Sequence, residues 1–296
     1  MADYILSCCS TTDLSPEQFK SHGIERICFH YSIDGKEYLD DGGVPLPDFF
    51  DAMKNGAVPK TSQVPVGEFL PYFRSFLEQG KDILHISLSS GLSGAYQSAC
   101  IARDELALQF PDRKIYIIDS LCGSGGAAIL MLELADRRDR GLSVDSARSW
   151  VETHKLQMHH WLFTPELAYF VRGGRISPAA GWLGTLLKLC PLIEANAEGK
   201  LLPNTKIRGK LRAMTALIDK MKQHAQGGLN YAGPCRISHA NCAEDAYAVK
   251  ALIEEQFANL REKIGVSMMG TTLGSHCGPG TVAIFFFGAQ RQLSAM

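Results

Sequence analysis

The sequence predicts an α/β chain of two domains, and three observations carry that prediction. Short apolar runs alternate with amphipathic helical stretches through the first half, the alternation stops near residue 158, and the second half sets long helices among strands of different spacing. The expected units are therefore residues 1–158, a Rossmann-like α/β domain with a parallel sheet, and residues 159–296, an α+β domain with a mostly antiparallel sheet.

In the first unit Tyr4 to Cys8, Arg26 to His30, Ile83 to Leu88 and Ile115 to Ile118 have strand length and apolar centres, the pattern of strands buried on both faces. Between them Val66, Phe69, Leu70, Phe73 and Leu77 recur at helical spacing behind Pro65, a residue suited to a helix start because an N–H there has no partner. Ala95 to Phe110 and Gly125 to Arg138 are further predicted helices, each covering a sheet face. In the second unit strands are predicted at Pro191 to Ala195, Lys200 to Pro203, Cys235 to His239 and Thr281 to Phe287. One helix there carries Leu211, Met214, Leu217, Ile218 and Met221 as an apolar stripe, and a second carries Val249, Leu252, Ile253, Phe257 and Leu260.

Composition narrows the function. With 46% hydrophobic residues, 21% charged residues and a net charge of −1, the chain lacks the basic excess of a nucleic-acid binder, so no nucleic-acid partner is expected. No run approaches the ~18 apolar residues of a membrane span, and the opening MADYILSCC lacks the basic flank of a secretory signal, so a cytoplasmic protein without integral membrane association is expected. The nine cysteines are scattered and many, like Cys28, Cys100 and Cys190, lie in apolar surroundings, as reduced thiols do. Cys8-Cys9 and His159-His160 fall at no regular ligand spacing, so neither a metal nor a cofactor is expected.

Four segments carry chemistry. Ile83 to Gln97 runs from a strand through Ser89-Ser90-Gly91-Leu92-Ser93-Gly94 into a helix, which aims backbone N–H groups and hydroxyls at whatever lies beyond the strand. An anion gains from that geometry, typically up to ~2 kcal/mol, but a plain capped turn has the same composition. Lys60-Thr61-Ser62-Gln63 stands ahead of the Pro65 helix, where capping accounts for one hydroxyl more readily than two. Gly274 to Gly280 places His276 in a predicted tight turn rich in Gly and Pro. Phe170 to Ser177 is a predicted helix end crossing two glycines, with Arg175 read as bonding carbonyls.

At these positions the sequence resembles the DegV family. The resemblance rests on Ser10-Thr11-Thr12-Asp13-Leu14, Lys60 to Gln63, Gly91 to Ala99, Gly173 to Ile176 and His276 to Gly280, in family order across nearly the whole chain. Gly199-Lys200-Leu201 and Lys206-Ile207-Arg208-Gly209 add to it. Two positions depart: Cys9 stands where the family usually has Asp, and Val64 where Pro commonly follows Gln. The resemblance implies a long-chain fatty acid in the cleft between two domains, its carboxylate held by Thr61, Ser62, Ser93, Gly94 and His276. It also implies presentation of that carboxylate to a separate fatty acid kinase, which makes an acyl phosphate for phospholipid metabolism.

Physical chemistry suits such a ligand. About fourteen methylenes at ~0.8 kcal/mol each offer roughly 11 kcal/mol before ordering costs, against about 1 kcal/mol per hydroxyl contact. The tail supplies affinity and the head group supplies register, with Trp182 to Leu189 and Phe285 to Phe287 as candidate lining. Neutral donors would orient the carboxylate without a salt bridge, leaving an oxygen able to attack a phosphoryl donor. No Walker A or kinase motif is present, so catalysis would belong to the partner, docked at Arg175, Lys206 and Arg208. The basic cluster Lys206, Arg208, Lys210 and Arg212 also fits a solvated helix face.

Two other classes compete. A serine hydrolase would use Ser93 with His276 as base and Asp119 orienting it, although Gly91 to Ala95 lacks the spacing of a nucleophile elbow. A lipid-responsive regulatory protein would bind the same ligand without any acyl phosphate being made.

Overall fold

Alternation of apolar runs and helices becomes a parallel sheet in the first half of the chain. The computed structural model describes residues 4–40, 42–178 and 189–292. The chain runs β1 (Tyr4–Cys9), α1 (Pro16–Ser21), β2 (Ile24–Ile27), β3 (His30–Ile33), β4 (Lys36–Leu39), α2 (Leu46–Lys54), β5 (Lys60–Ser62) and α3 (Val66–Leu77). It continues through β6 (Asp82–Ser87), α4 (Ala95–Gln109), β7 (Ile115–Asp119), α5 (Ser124–Asp139) and α6 (Val144–His154). Strands β2, β1, β6 and β7 lie in that order and are parallel. Alternate residues serve opposite faces: Ile83, Ile115 and Ile117 pack with Phe69, Phe73, Ala99 and Leu106 of α3 and α4, whereas Leu84, Ile86 and Ile118 pack with α5 and α6.

The second half runs β8 (Met158–Phe163), α7 (Ala168–Arg172), β9 (Leu192–Ala195), β10 (Leu201–Thr205), α8 (Lys210–His224) and β11 (Cys235–His239). It ends with α9 (Ala243–Gln256), β12 (Gly265–Met268), α10 (Thr271–Cys277) and β13 (Val282–Phe287). Its sheet has the order β10, β9, β8, β13, β11, β12, antiparallel except for the β11–β12 pair. Helices α8 and α9 cover one face, while α5 packs on β8, β11 and β13 and also touches β1. That shared position explains why α5 is buried almost all round and shows no polar stripe over Ser124 to Met131.

Several local expectations are corrected. The predicted strand Arg26 to His30 is two strands: β2 joins the parallel sheet, and β3 joins a separate antiparallel sheet of order β4, β3, β5. Strand β8 was hidden because His159 and His160 interrupt its apolar run, although all six of its residues are buried. Leu211, placed on the apolar stripe of α8, is 79% exposed, while Met214, Leu217, Ile218 and Met221 are buried as expected. His276 lies near the end of helix α10 and not in a turn.

Candidate functional site

The parallel sheet reverses its direction of growth between β1 and β6, and in such sheets ligands gather beyond the strand ends at that point. There the serine loop leaves β6 for α4. Its backbone is tied locally: Ser93 N–H donates to the Ser89 carbonyl at 3.1 Å, Gly91 N–H to Ser89 Oγ at 3.1 Å, and Ala95 N–H to Ser93 Oγ at 3.2 Å. Ser89 Oγ in turn donates to the Gly199 carbonyl at 2.9 Å, fastening the loop to the turn before β10. Ser93 Oγ thus accepts from the backbone and keeps its own proton for the space in front of it.

Opposite stands α10, which packs against α2, α7, β3 and β5. Two carboxylates, buried Asp13 and half-buried Asp40, hold its start. Asp13 accepts from Gly270 N–H at 2.8 Å and from the Ser124 hydroxyl, and Asp40 accepts from Thr272 N–H at 2.8 Å, the Thr271 hydroxyl at 2.5 Å and the Ser10 hydroxyl at 2.7 Å. Burial pushes the Asp13 carboxyl up to about 7 and raises that of Asp40 as well, against the pull of those hydrogen bonds. The residue types are those of a helix N-cap, but they come from loops more than two hundred residues away in sequence.

At the far end of α10, His276 Nε2 lies 2.8 Å from Thr61 Oγ1. Burial first, and the nearby Arg175 charge second, pull this imidazole down to about 4, so it is neutral near pH 7. Its Nδ1 is buried without a partner among the described residues. The Gly173 backbone leaves no room there, since a Cβ at that position would sit 2.2 Å from Nδ1. A buried N–H without an acceptor costs more than an idle lone pair, so the proton belongs on Nε2, pointing at Thr61. The Thr61 hydroxyl then accepts from His276 and turns its own proton outward.

Thr61, Ser93, Gly94, Arg175 and His276 all line one cavity of about 430 Å³. It shares Leu92, Phe170, Leu201, Leu273 and Cys277 with a narrow, almost wholly apolar arm of about 60 Å³ that reaches Leu162, Ala283 and Phe285. Of the predicted apolar lining, Phe285 is in place and Phe286 packs instead beside Tyr231. Residues 182–188 of the predicted Trp182 to Leu189 lining lie outside the described residues.

The other predicted residues fall elsewhere. Ser62 is exposed, next to half-buried Thr61 on β5, and strand alternation turns it to the opposite face, away from the cavity. Neither hydroxyl caps α3, whose N-cap is Pro65 with no side-chain bond. Arg175 is committed to carbonyls, with Nε donating to Leu92 at 3.1 Å and Nη1 to Gly173. It therefore joins the serine loop to the end of α7 and brings a positive charge to a wall predicted to hold neutral donors alone. Lys206 and Arg208 are exposed and stand outside this cavity wall. Asp119 is bound to the loop, accepting from Ser90 and Leu121 N–H at 3.0 and 3.1 Å, and His276 has Thr61 as its partner, so the hydrolase relay is not assembled.

Sequence reasoning missed Asp40, Thr271 and Thr272, and saw Asp13 only as part of a motif. Cys9, the departure in that motif, is buried in β1 with its sulfur 3.8 Å from His85 Nε2, clear of the cavity. Val64, the other departure, is fully buried against the α3 side of the sheet. Among the described residues no three His, Cys, Asp or Glu side chains converge as metal ligands, and no helix is long and apolar enough to cross a membrane.

Comparison with known proteins bears on the whole arrangement. A family model described as "Uncharacterised protein, DegV family" matches residues 9–289. A DegV domain-containing protein of Clostridium perfringens is 31% identical over 294 residues, which are 99% of this chain and 100% of that protein. A solved DegV family protein from Thermus thermophilus, described by its fatty acid binding, is 25% identical with a TM-score of 0.84, covering 97% of this chain and 99% of its own. A DegV lipid binding protein from Thermotoga maritima shares the fold at 24% identity and a TM-score of 0.82, over 98% and 100% of the two chains. Because the match runs from the opening loop past β13 and takes in every segment that builds the cavity, the chain belongs to the DegV family.

Proposed function

We propose that this protein binds one long-chain fatty acid, with the carboxylate between Thr61, Ser93, the Gly94 backbone and His276 and the acyl chain directed toward the apolar arm, which at about 60 Å³ takes its first few methylenes and must widen for the rest. The observation that carries the reading is the adjacency itself: a cavity with hydroxyls at its wall shares five lining residues with an arm that has almost no polar surface. Residues 1–158 supply the hydroxyls in this reading, and residues 159–296 supply His276 and much of the arm. Thermus thermophilus and Thermotoga maritima relatives described as fatty acid and lipid binding support it.

The carboxylate would meet two hydroxyl donors and the half-buried Arg175 charge, without a bidentate ion pair, since that guanidinium already serves two carbonyls. An oxygen so held stays nucleophilic, which suits presentation to a separate fatty acid kinase. Lys206 and Arg208, exposed ahead of α8, fit its docking.

Native mass spectrometry of the purified protein, followed by denaturation and identification of released lipid, tests the binding. One fatty acid per chain is expected, weakened in Ser93→Ala. A protein that purifies free of lipid, refuses it on re-addition and turns over an ester would be a hydrolase instead. For the kinase step, loss of acyl phosphate formation in the Thr61→Ala, Ser93→Ala double variant is expected, and full activity would refute the assigned head group site. Lipid binding with no acyl phosphate formed by any kinase preparation of the same cell would leave the regulatory reading.

A further inference from the structure

A second cavity, of about 710 Å³, lies on the other side of α10. It is walled by the opening loop and α1, by the segment from Gly42 to Leu46, and by β12, the edge strand of the second sheet. Its deepest charged group is Arg236 on β11, which is only 7% exposed. The Nε of Arg236 is buried with no acceptor, and its guanidinium makes no hydrogen bond among the described residues; Asp13 acts on it through charge alone. An Nε buried without an acceptor among the described residues is costly, and the rest of the guanidinium lines the cavity.

The surroundings are shaped for a partner. Gly265 sits opposite Arg236 in the β11–β12 register, and a Cβ there would stand 3.2 Å from Arg236 Nη1 and 3.4 Å from Cζ, so the glycine gives the arginine side chain room to lie along β12 at the cavity wall. Ser15, Gln18 and Ser267 line the same cavity, and Arg26, lying over the Phe19 ring, lines it from β2. The two carboxylates in the wall are already occupied: each oxygen of Asp13 and Asp40 accepts from a hydroxyl or a backbone N–H. Arg236 is the group left over, and a planar fork of donors recognises a tetrahedral or planar oxyanion.

We propose that this cavity is a second ligand site, in which Arg236 binds the oxyanion of a small hydroxylated molecule, a phosphomonoester or a hydroxycarboxylate, with Ser15, Gln18 and Ser267 meeting its hydroxyls. The site stands independently of the fatty acid reading. It shares a wall with the first cavity, however. Gly270 and Thr271 line the Arg236 side, and Thr272, Leu273, His276 and Cys277 line the other, so an occupant would be felt along α10.

The test is an NMR titration of the lipid-free full chain, in separate arms, with inorganic phosphate, glycerol phosphate and malate, following backbone amides. Saturable shifts of Gly265, Ser267 and Gly270 are expected, stronger with the hydroxylated ligands than with inorganic phosphate, and accompanied by a shift at His276. The arm that saturates at lowest concentration identifies the oxyanion. Arg236→Lys, which keeps the charge and loses the fork, should weaken the response at least tenfold, and Ser267→Ala offers a second, milder variant should Arg236→Lys misfold. Linear or absent shifts in all three arms would overturn the site, and saturable shifts that leave His276 unmoved would overturn the coupling through α10.

Discussion

The serine loop and α10 face each other across one cavity, yet they are held in opposite ways. The serine loop is tied mainly to itself and to the strand ends beside it, through Ser89, Ser93 and Asp119. Helix α10 owes its position to Asp13, Asp40 and Thr61, all from the other half of the chain. One wall therefore takes its shape from local geometry and is then fastened to the second half through Ser89 and Leu92, whereas the start and the His276 end of the other are held by groups of the first half. The difference sets where the cavity is strong, where it is vulnerable, and which wall depends on which part of the fold.

The largest effect that can break this comparison is removal of an anchor. Asp40→Ala strips three hydrogen bonds, two of them from buried Thr271 and Thr272, and should cost about 3 kcal/mol, the gain from no longer desolvating a carboxylate offsetting part of the loss. Asp119→Ala, which frees two amides of the serine loop, should cost only about 1 kcal/mol because water reaches that half-buried side chain. Urea denaturation midpoints measure both. Equal costs would mean that the two walls are held alike.

Next in size is the coupling across the cavity. Thr61→Val keeps the shape and removes the hydroxyl, and should weaken fatty acid binding about tenfold, the equivalent of one charge-assisted hydrogen bond. Ser93→Ala should do the same. In double-mutant cycles on affinity, however, Thr61→Val and His276→Gln should be coupled by about 1 kcal/mol, whereas Ser93→Ala and His276→Gln should be nearly additive. Isothermal titration with a fixed fatty acid gives the four corners. Coupling of Ser93 to His276 as strong as that of Thr61 would bring back the relay that the hydrogen bonds argue against.

The same contrast explains what could be read from the amino acids. Strand β6, the serine loop and α4 follow each other in sequence, so the apolar run, the small residues and the helix behind them are legible together as a strand, a loop and a candidate anion site. Helix α10 offers one Leu and one Cys among Gly, Ser, Thr and His over seven residues, too short and too polar for a periodic signal, and so its segment reads as a turn. Thr61 and Ser62 look equivalent as residues, and only pairing of β5 with β3 decides which one faces the cavity. Arg175 was recognisable as a carbonyl donor from its two glycines, while its place beside His276 depends on long-range packing. Family blocks located Asp13, Thr61 and His276 together, although nothing in their spacing says that one anchors the helix that carries another.

The smallest effect separates the two ends of α10 by pH. His276 is pulled from 6.5 down to about 4 in the fold, so its neutral form is favoured by folding. Its contribution is complete above about pH 6.5 and is lost as pH falls toward 4. Asp13 has the opposite sign: its carboxyl is raised from 3.8 to about 7, so its contribution is complete below about pH 4 and is lost as pH rises through 7. Buried His85 and His159 act in the same direction as His276, so the wild-type acid limb is a sum and only differences between variants are informative. Unfolding free energies from urea titrations between about pH 4 and pH 8 should show the Asp13→Asn variant gaining on wild type as pH rises, because the amide carries no charge to bury. His276→Gln should gain on wild type as pH falls. If both variants track the wild type across the whole range, the two ends of α10 do not carry the opposed burial costs that the geometry assigns to them.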